Sequence, residues 1–415
     1  MERVDLARQL GAEACGGRAR EVTVAASDPA EFMDRFRAAV AAGGNVFVAD
    51  PHWGETERAQ FAALVRSKTG SQPPGAARDF GWLCLPTGGS SGAVRLARHD
   101  QDTLAAAALG CSRHFAADRI NAVGVLPLHH VSGLMAWIRC ALTGGRYLPW
   151  RWEDLEAGRW PEAGPGEWFL SVVPTQLQRL LEQPGAVERL RRFRAVFLGG
   201  GPAWPELVER AAAARLPLAP GYGMTETAAM IAALRPEEFL AGRRGCGTAL
   251  PHGRVIIGPD GVVELSGDSL FRGYFPQWRA GDAWPTEDLG RLDGHGGLHW
   301  LGRRDAVIIT GGEKVDPGEV EAALRAVGAW GDVAVVGLPD ADWGEMVVAC
   351  YPAGEAAPDL AAAAGQIAAR LAAHKRPKRY LALATWPRNA QGKVNRRELR
   401  ALAQQAAGGF TPRGP

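Results

Sequence analysis

Short apolar runs alternate with amphipathic stretches along most of the chain. "FGWLCLP" (Phe80 to Pro86), "NAVGVLPL", "WFLSVVP", "RAVFLGGG" and "LPLAPGYG" each end at glycine, proline or a polar turn. Runs of this kind predict buried strands. Stretches with helical spacing lie between them, "WPELVERAAAA" among them. The alternation predicts βα units around mixed or parallel sheets. Two further stretches, Gly253 to Gly267 and Gly290 to Gly302, predict hairpins turned by Pro-Asp-Gly and Gly-His-Gly-Gly. The first 75 residues read as helical and polar, with one strand at "NVFVAD" (Asn45 to Asp50) and a linker at "SQPPGAARD".

After Gly302 the pattern resets. A strand-loop "DAVIITGGEKV", a helix "DPGEVEAALRAV", strands "DVAVVGLP" and "EMVVACYPA" and a long helix "DLAAAAGQIAARLAAH" follow in order. That is a compact α+β unit of about a hundred residues. The expected architecture is therefore α/β, with a large N-terminal domain of mixed or parallel sheets and helices over 1–302 and a small C-terminal α+β domain over 303–415.

Composition narrows the class. A chain of 415 residues with 47% hydrophobic and 22% charged content fits a globular protein of two or three domains with a sizeable core. A net charge of +2 does not indicate a polyanion-binding surface, so no nucleic-acid partner is expected. The six cysteines (Cys15, Cys84, Cys111, Cys140, Cys246, Cys350) include no C-x-x-C pair. They point away from a disulfide framework or a cysteine zinc site and suit a reducing cytosol. "MERVDLARQLGAEACGGRAR" is charged and has no apolar core, so no signal peptide and a cytoplasmic location are expected. The most apolar window, Ile120 to Leu142, contains His129, His130 and Arg139 and reads as a buried strand plus helix, not a membrane span.

Candidate chemistry begins at "LPTGGSSGAVR". Gly88, Gly89 and Gly92 let the backbone turn its N–H groups to one side, Thr87, Ser90 and Ser91 add hydroxyls, and Arg95 adds a fixed charge. Together they make a cradle for phosphate oxygens, without Walker A spacing. Taken alone, the stretch is equally a flexible surface turn. In "GYGMTE", Tyr222 offers a flat face to a purine, Thr225 a hydroxyl to phosphate and Glu226 a carboxylate to Mg²⁺. The same residues also suit an ordinary helix N-terminus. "FLGGGP" is a strand and tight turn. His130 in "LPLHHVSGL" is either a core histidine or a hydrogen-bonding group for a substrate carboxylate or ketone, with His129 pointing the other way along the strand. In "PRNAQGKVNRREL", Asn395 and Glu398 have capping-box spacing, and Lys393 stands just before them.

These stretches, with "TEDLGRL…GRRDAVIITGGEKVDPGEVE", occur in the order found in the adenylate-forming acyl-CoA synthetase family, which the chain resembles from about residue 80 to 400. The resemblance implies ATP, Mg²⁺ and coenzyme A as cofactor and co-substrates, and a small-molecule carboxylic acid as partner. It implies phosphate contacts from the Gly/Ser loop and Arg95, and adenine and phosphate contacts from Gly199, Gly200, Gly201, Pro202, Tyr222, Gly223, Met224 and Thr225. Asp288 and Arg303 would hold the ribose and nucleotide, and Glu226 the metal. His130, Ser132, Gly133 and Gly200 would line the acid. Asp305 would be the hinge of a mobile C-terminal domain carrying the catalytic Lys393. Within the family, "LPLHHVSGL", "VPTQLQRLL", "GGGP" and "GYGMTET" are most similar to the branch acting on o-succinylbenzoate in menaquinone and phylloquinone synthesis. Another aryl or acyl acid is the alternative, and a catalytically silent nucleotide-binding protein is the other class. Arg95 stands where lysine is usual and Gly88 where serine is, which implies slower pyrophosphate release; Glu287 replaces a glycine, which puts the loop shape around Asp288 in question. The segment before the Gly/Ser loop is shorter than usual, which implies a trimmed N-terminal part, and oligomerisation is left open.

Overall fold

The computed structural model describes residues 5–12, 21–67, 81–87, 93–327, 330, 332–354, 360–388 and 394–408. Strands β1 (Glu21–Val24), β2 (Asn45–Val48), β3 (Leu83–Thr87) and β4 (Arg95–His99) form the first sheet in that order. The β1–β2 and β2–β3 pairs are parallel, and β3–β4 is antiparallel. β1 corrects the expectation of a single strand in the first 75 residues. It is four residues long, with only Val24 fully buried, so its apolar signal is one residue deep.

The second sheet holds β5 (Asn121–Gly124), β6 (Tyr147–Pro149), β7 (Trp168–Val172), β8 (Ala195–Leu198), β9 (Leu218–Met224), β10 (Ala229–Ala233) and β11 (Thr248–Ala249), ordered β11-β10-β9-β8-β7-β5-β6. From β6 to β9 every pair is parallel, and β10 and β11 add antiparallel. β5 and β8 are buried along their whole length, as parallel strands covered by helices on both faces must be. Gln101–His114 and Val131–Leu142 cover this sheet with largely buried faces. Asp100 starts the first of them, accepting from the Asp102 and Thr103 N–H groups at 3.1 Å. The apolar window from Ile120 to Leu142 is thus a strand and a helix, as expected. No helix of the described residues is long and apolar enough to cross a membrane.

Both predicted hairpins form: β12 (Gly253–Ile257) and β13 (Val262–Gly267), then β14 (Ala283–Leu292) and β15 (Leu298–Arg303), make a four-stranded antiparallel sheet. In the smaller C-terminal domain, β16 (Ile308–Thr310), β17 (Glu313–Val315), β18 (Ala334–Asp340), β19 (Gly344–Pro352) and β20 (Arg379–Leu383) form the last sheet. Its two buried clusters draw only on residues after 307. Among the contacts that reach back, the Arg325 guanidinium lies 5.3 Å from the ring centroid of Trp204.

Ligands in open α/β sheets bind beyond the carboxyl ends of the strands. Thr87 ends β3, His130 follows β5, Gly199 follows β8 and Tyr222 to Met224 end β9. The fold therefore gathers at one edge the motifs that the sequence scatters.

Candidate active site

Tyr222 and Asp288 meet across two sheets. The Tyr222 hydroxyl donates to Asp288 Oδ2 at 2.6 Å. Tyr222 is 8% and Asp288 7% exposed, so the bond is shielded from water. Burial, then the adjacent carboxylate, pushes the Tyr222 hydroxyl far up in pKa, so it stays a donor. Asp288 Oδ1 accepts from the Trp300 indole N–H at 3.2 Å, and Arg303 approaches the same oxygen at 3.7 Å. Asp288 and Arg303 are register partners on β14 and β15. The question raised by Glu287 has a simple answer. Glu287 and Asp288 are neighbours within β14, so their side chains leave opposite faces. Asp288 turns inward, while Glu287 turns to solvent and pairs with Arg304 at 3.1 Å. β14 bulges here, since Val262 pairs with Leu289 and Glu264 with Pro285, which leaves Thr286 to Asp288 opposite Val263 alone, yet Asp288 still faces inward.

Thr225 to Thr227 form a 3-10 turn after β9. Glu226 is 6% exposed, and its Oε1 accepts from the Tyr274 hydroxyl at 2.6 Å. Burial raises the Glu226 pKa, against the opposing pull of Tyr274, Arg95 and Arg303. The Arg95 guanidinium sits 4.7 Å above the Tyr274 ring. Glu226, Tyr274, Arg95 and Arg303 are thus one electrostatic cluster. Thr225 Oγ1 lies 3.5 Å from the Pro86 carbonyl, which ties this turn to the end of β3. There the Thr87 hydroxyl is buried with no hydrogen-bond partner among the described residues.

Sequence reasoning missed two residues here. His99 is fully buried, with Nε2 2.7 Å from the Thr225 carbonyl and Nδ1 3.1 Å from Thr103 Oγ1. Burial lowers its pKa to about 4, so the ring is neutral, Nε2–H donates to Thr225 and Nδ1 accepts from Thr103. His99 positions Thr225. Tyr274 orients Glu226. Each contact spans a long stretch of sequence, and no local spacing marks either residue.

The residues expected to line an acid, here termed the acid side, are built differently. His130 is not on a strand: β5 ends at Gly124, and His130 stands at the N-cap of Val131–Leu142. His129 therefore does not alternate with it, and the two rings lie 4.4 Å apart in one turn. The Leu-Pro-Leu sequence before them bends the chain instead of extending it. Ser132 and Gly133 occupy the first turn of the helix. A Cβ at Gly133 would sit 2.2 Å from the Pro127 carbonyl oxygen, so Gly133 is required by packing alone. Ala228 and Ala229 hold φ of 50° and 75°, a left-handed conformation that is unusual for non-glycine residues. The Thr227 hydroxyl braces them by donating to the Ala229 carbonyl at 2.5 Å, while accepting from Met224 N–H at 3.0 Å. Ala228 packs in the same apolar cluster as Leu85, Leu128 and Leu134, which joins this side to the nucleotide side. Gly199 to Pro202 form the turn between β8 and Pro205–Ala213, with Gly200 at φ 80°. Gly223 is tight as well, since a Cβ there would sit 2.0 Å from the Ala229 carbonyl oxygen.

Gly88, Gly89, Ser90, Ser91, Gly92 and Lys393 lie outside the described residues. The base of the Lys393 segment is described. Arg388 and Val394 bridge, and Glu398 N–H donates to Asn395 Oδ1 at 3.3 Å, the expected cap of the last helix. Arg396 anchors that helix to buried Glu321 at 2.7 Å. Asp305 lies in the 3-10 turn Arg304–Ala306 that follows β15.

Known proteins fit this arrangement. Residues 67–275 match the AMP-binding enzyme family, and residues 319–393 match the AMP-binding enzyme C-terminal domain. The chain is similar to the 2-succinylbenzoate--CoA ligase of Listeria innocua, 35% identical over 282 residues, which are 66% of this chain and 60% of that protein. It is 34% identical to the ligase of the same name from Geobacillus kaustophilus over 300 residues, 68% of this chain and 60% of that protein. The chain thus spans about 60% of the length of these curated relatives. Among solved structures, o-succinylbenzoate CoA synthetase from Bacillus subtilis in complex with the acyl-adenylate OSB-AMP superposes with a TM-score of 0.77 at 24% identity, covering 95% of this chain and 90% of that one. A variant of E. coli MenE with bound OSB-AMS gives a TM-score of 0.73 at 26% identity, covering 97% and 91%.

Proposed function

The chain belongs to the AMP-binding enzyme family, and from that premise we propose that it is a cytoplasmic, ATP-dependent acid–CoA ligase whose acid is o-succinylbenzoate. The observation that carries this reading is the buried pairing of Tyr222 with Asp288 beside the Glu226–Tyr274 pair, at the strand ends where Thr87 and the Gly/Ser loop begin. The similarity to curated 2-succinylbenzoate--CoA ligases supports the choice of acid, and with it a role in menaquinone or phylloquinone synthesis.

In the proposed reaction the substrate carboxylate attacks the α-phosphorus of ATP and pyrophosphate leaves. The thiolate of CoA then attacks the acyl carbonyl, giving the thioester and AMP. The Thr87 hydroxyl and the Gly/Ser loop N–H groups receive the outgoing phosphates, with Arg95 neutralising charge. Tyr222 lies against adenine, and Asp288, which retains acceptor capacity beyond its present partners, takes the ribose hydroxyls. Glu226 fits Mg²⁺, because its buried carboxylate is a hard oxygen donor whose charge burial penalises; bound there, the ion would screen the phosphate charge. Thr225 is held for phosphate contact by His99. His130 and Ser132 face the acid. Lys393 bridges the carboxylate and α-phosphate, then leaves as residues 303–415 turn about Asp305. Most of this is positioning and charge neutralisation.

Pyrophosphate release across o-succinylbenzoate, benzoate, acetate and a long-chain fatty acid, with and without CoA, tests the reading. The first acid should be fastest by far. Equal rates with the fatty acid overturn the acid and keep the ligase; no release with any acid overturns the ligase.

A further inference from the structure

Asp50, His52 and His129 meet at a corner that the ligase chemistry does not use. Asp50 and His52 lie in the turn between β2 and Glu55–Val65, and His129 lies in the turn before Val131–Leu142. One donor atom from each lies within 4.8 Å of the other two. Asp50 Oδ1 is 3.2 Å from His52 Nδ1 and 3.4 Å from His129 Nε2. In a tetrahedral site with zinc–ligand bonds of ~2.0–2.1 Å, neighbouring donors stand ~3.3–3.4 Å apart. The two distances from Asp50 Oδ1 match that spacing, and the third pair lies within 4.8 Å.

Hydrogen bonding accounts for His52, whose Nδ1 bonds Asp50 Oδ1, but not for His129. His129 is 3% exposed, yet its Nε2 has no hydrogen-bond partner among the described residues. Leaving a buried polar atom unsatisfied is costly, and here it is aimed at a carboxylate oxygen. The surroundings already hold the donors in place. The His52 N–H donates to Asp50 Oδ1 at 2.9 Å, and Ser27 Oγ lies 3.4 Å from His52 Nε2. With an ion bound, Nε2–H would turn to Ser27 and the His52 Nδ1 lone pair would go to the ion, in place of the present bond from Nδ1 to Asp50 Oδ1 at 3.2 Å. The His52 side chain is 60% exposed, which gives an ion an entry path and a fourth position for water.

We propose that Asp50, His52 and His129 bind one divalent transition-metal cation, zinc foremost. Two imidazoles and a carboxylate select a borderline ion over Mg²⁺, which prefers oxygen donors. The ion would fasten the first sheet to the start of Val131–Leu142, beside the turn that carries His130. The cysteines take no part, and the site is independent of the ligase reading.

The test uses untagged full-length protein, stripped with chelator and free of ATP. Equilibrium dialysis with Zn²⁺ should give one ion per chain, unaffected by excess Mg²⁺, and Co²⁺ should develop the intense visible bands of a four-coordinate site. Zn²⁺ should also raise the melting temperature. His52→Gln, at an exposed position that does not threaten folding, should weaken Zn²⁺ binding at least tenfold, and His129→Phe and Asp50→Asn should do the same. No stoichiometric binding, or binding unchanged in His52→Gln, overturns the proposal.

Discussion

On the nucleotide side of the site, distant strands are joined by short bonds between buried polar groups, Tyr222 to Asp288 and Tyr274 to Glu226, both at 2.6 Å. On the acid side, His130, Ser132 and Gly133 ride together on one helix start, and Ala228 and Ala229 hold a left-handed backbone. The first side is made rigid by long-range pairing in low dielectric, where each bond removed leaves a costly orphan. The second is made rigid largely by local chain geometry. In the proposed ligase the residues around Tyr222 are committed to one ligand shape, and those around His130 are where specificity would vary on the same frame.

The largest expected effect lies outside both halves. Lys393→Ala should slow acyl-adenylate formation by about a hundred- to thousand-fold, the usual loss of ~2.7–4 kcal/mol for one preorganised donor. Thioester formation from supplied acyl-adenylate and CoA should stay near wild type, as read in separate half-reaction assays. Equal impairment of both steps removes the domain-turning scheme. Next comes Tyr222→Phe, which takes the donor from buried Asp288 and should cost roughly 1.5–3 kcal/mol of stability in denaturant unfolding, with KM for ATP rising more than KM for the acid. His130→Ala should do the reverse: KM for the acid rises about tenfold, ~1.4 kcal/mol, with stability and KM for ATP little changed. If both variants disturb both substrates alike, the contrast between the two sides fails.

The smallest effect is a slope. His99 titrates near pH 4 in the folded protein, against an ordinary value of 6.5. Between these values the unfolded chain binds the extra proton, so stability falls as pH falls from 6.5 to 4. His99→Gln should remove up to ~1.4 kcal/mol per pH unit of that slope, read from urea midpoints across the range. An unchanged slope would mean that His99 is protonated in the folded state.

Much of the architecture was legible because it is written in local periodicity. Four strands of the parallel core, both hairpins and the Asn395 cap could be read from runs of a few residues, while the three-residue β6 could not. β1 could not, because a four-residue edge strand with one buried side chain has hardly any pattern. His129 and His130 were misread as strand residues because a bend at Pro127 looks apolar in sequence. For Glu287, the burial of Thr286 and Asp288 on either side shows which way it points, while the bulge of β14 opposite Val263 has no local signal in the sequence. Tyr274, His99 and the Asp50–His52–His129 cluster left no trace in spacing, since each is defined by a partner on another sheet or turn. Motif order points to the proposed chemistry; only three-dimensional pairing says what holds the site in shape.

The stack of Arg325 on Trp204 carries an optical consequence. An indole under a guanidinium emits in a different field from one facing water, and any movement that lifts the C-terminal domain from this seat must first part the two groups. Trp204 is therefore a built-in light source at the joint, and subtracting the spectrum of a Trp204→Phe variant isolates it from the other thirteen of the chain's 14 tryptophans. Mixed rapidly with ATP and acid, the protein would report the proposed turn of residues 303–415 by its own fluorescence, with no attached dye.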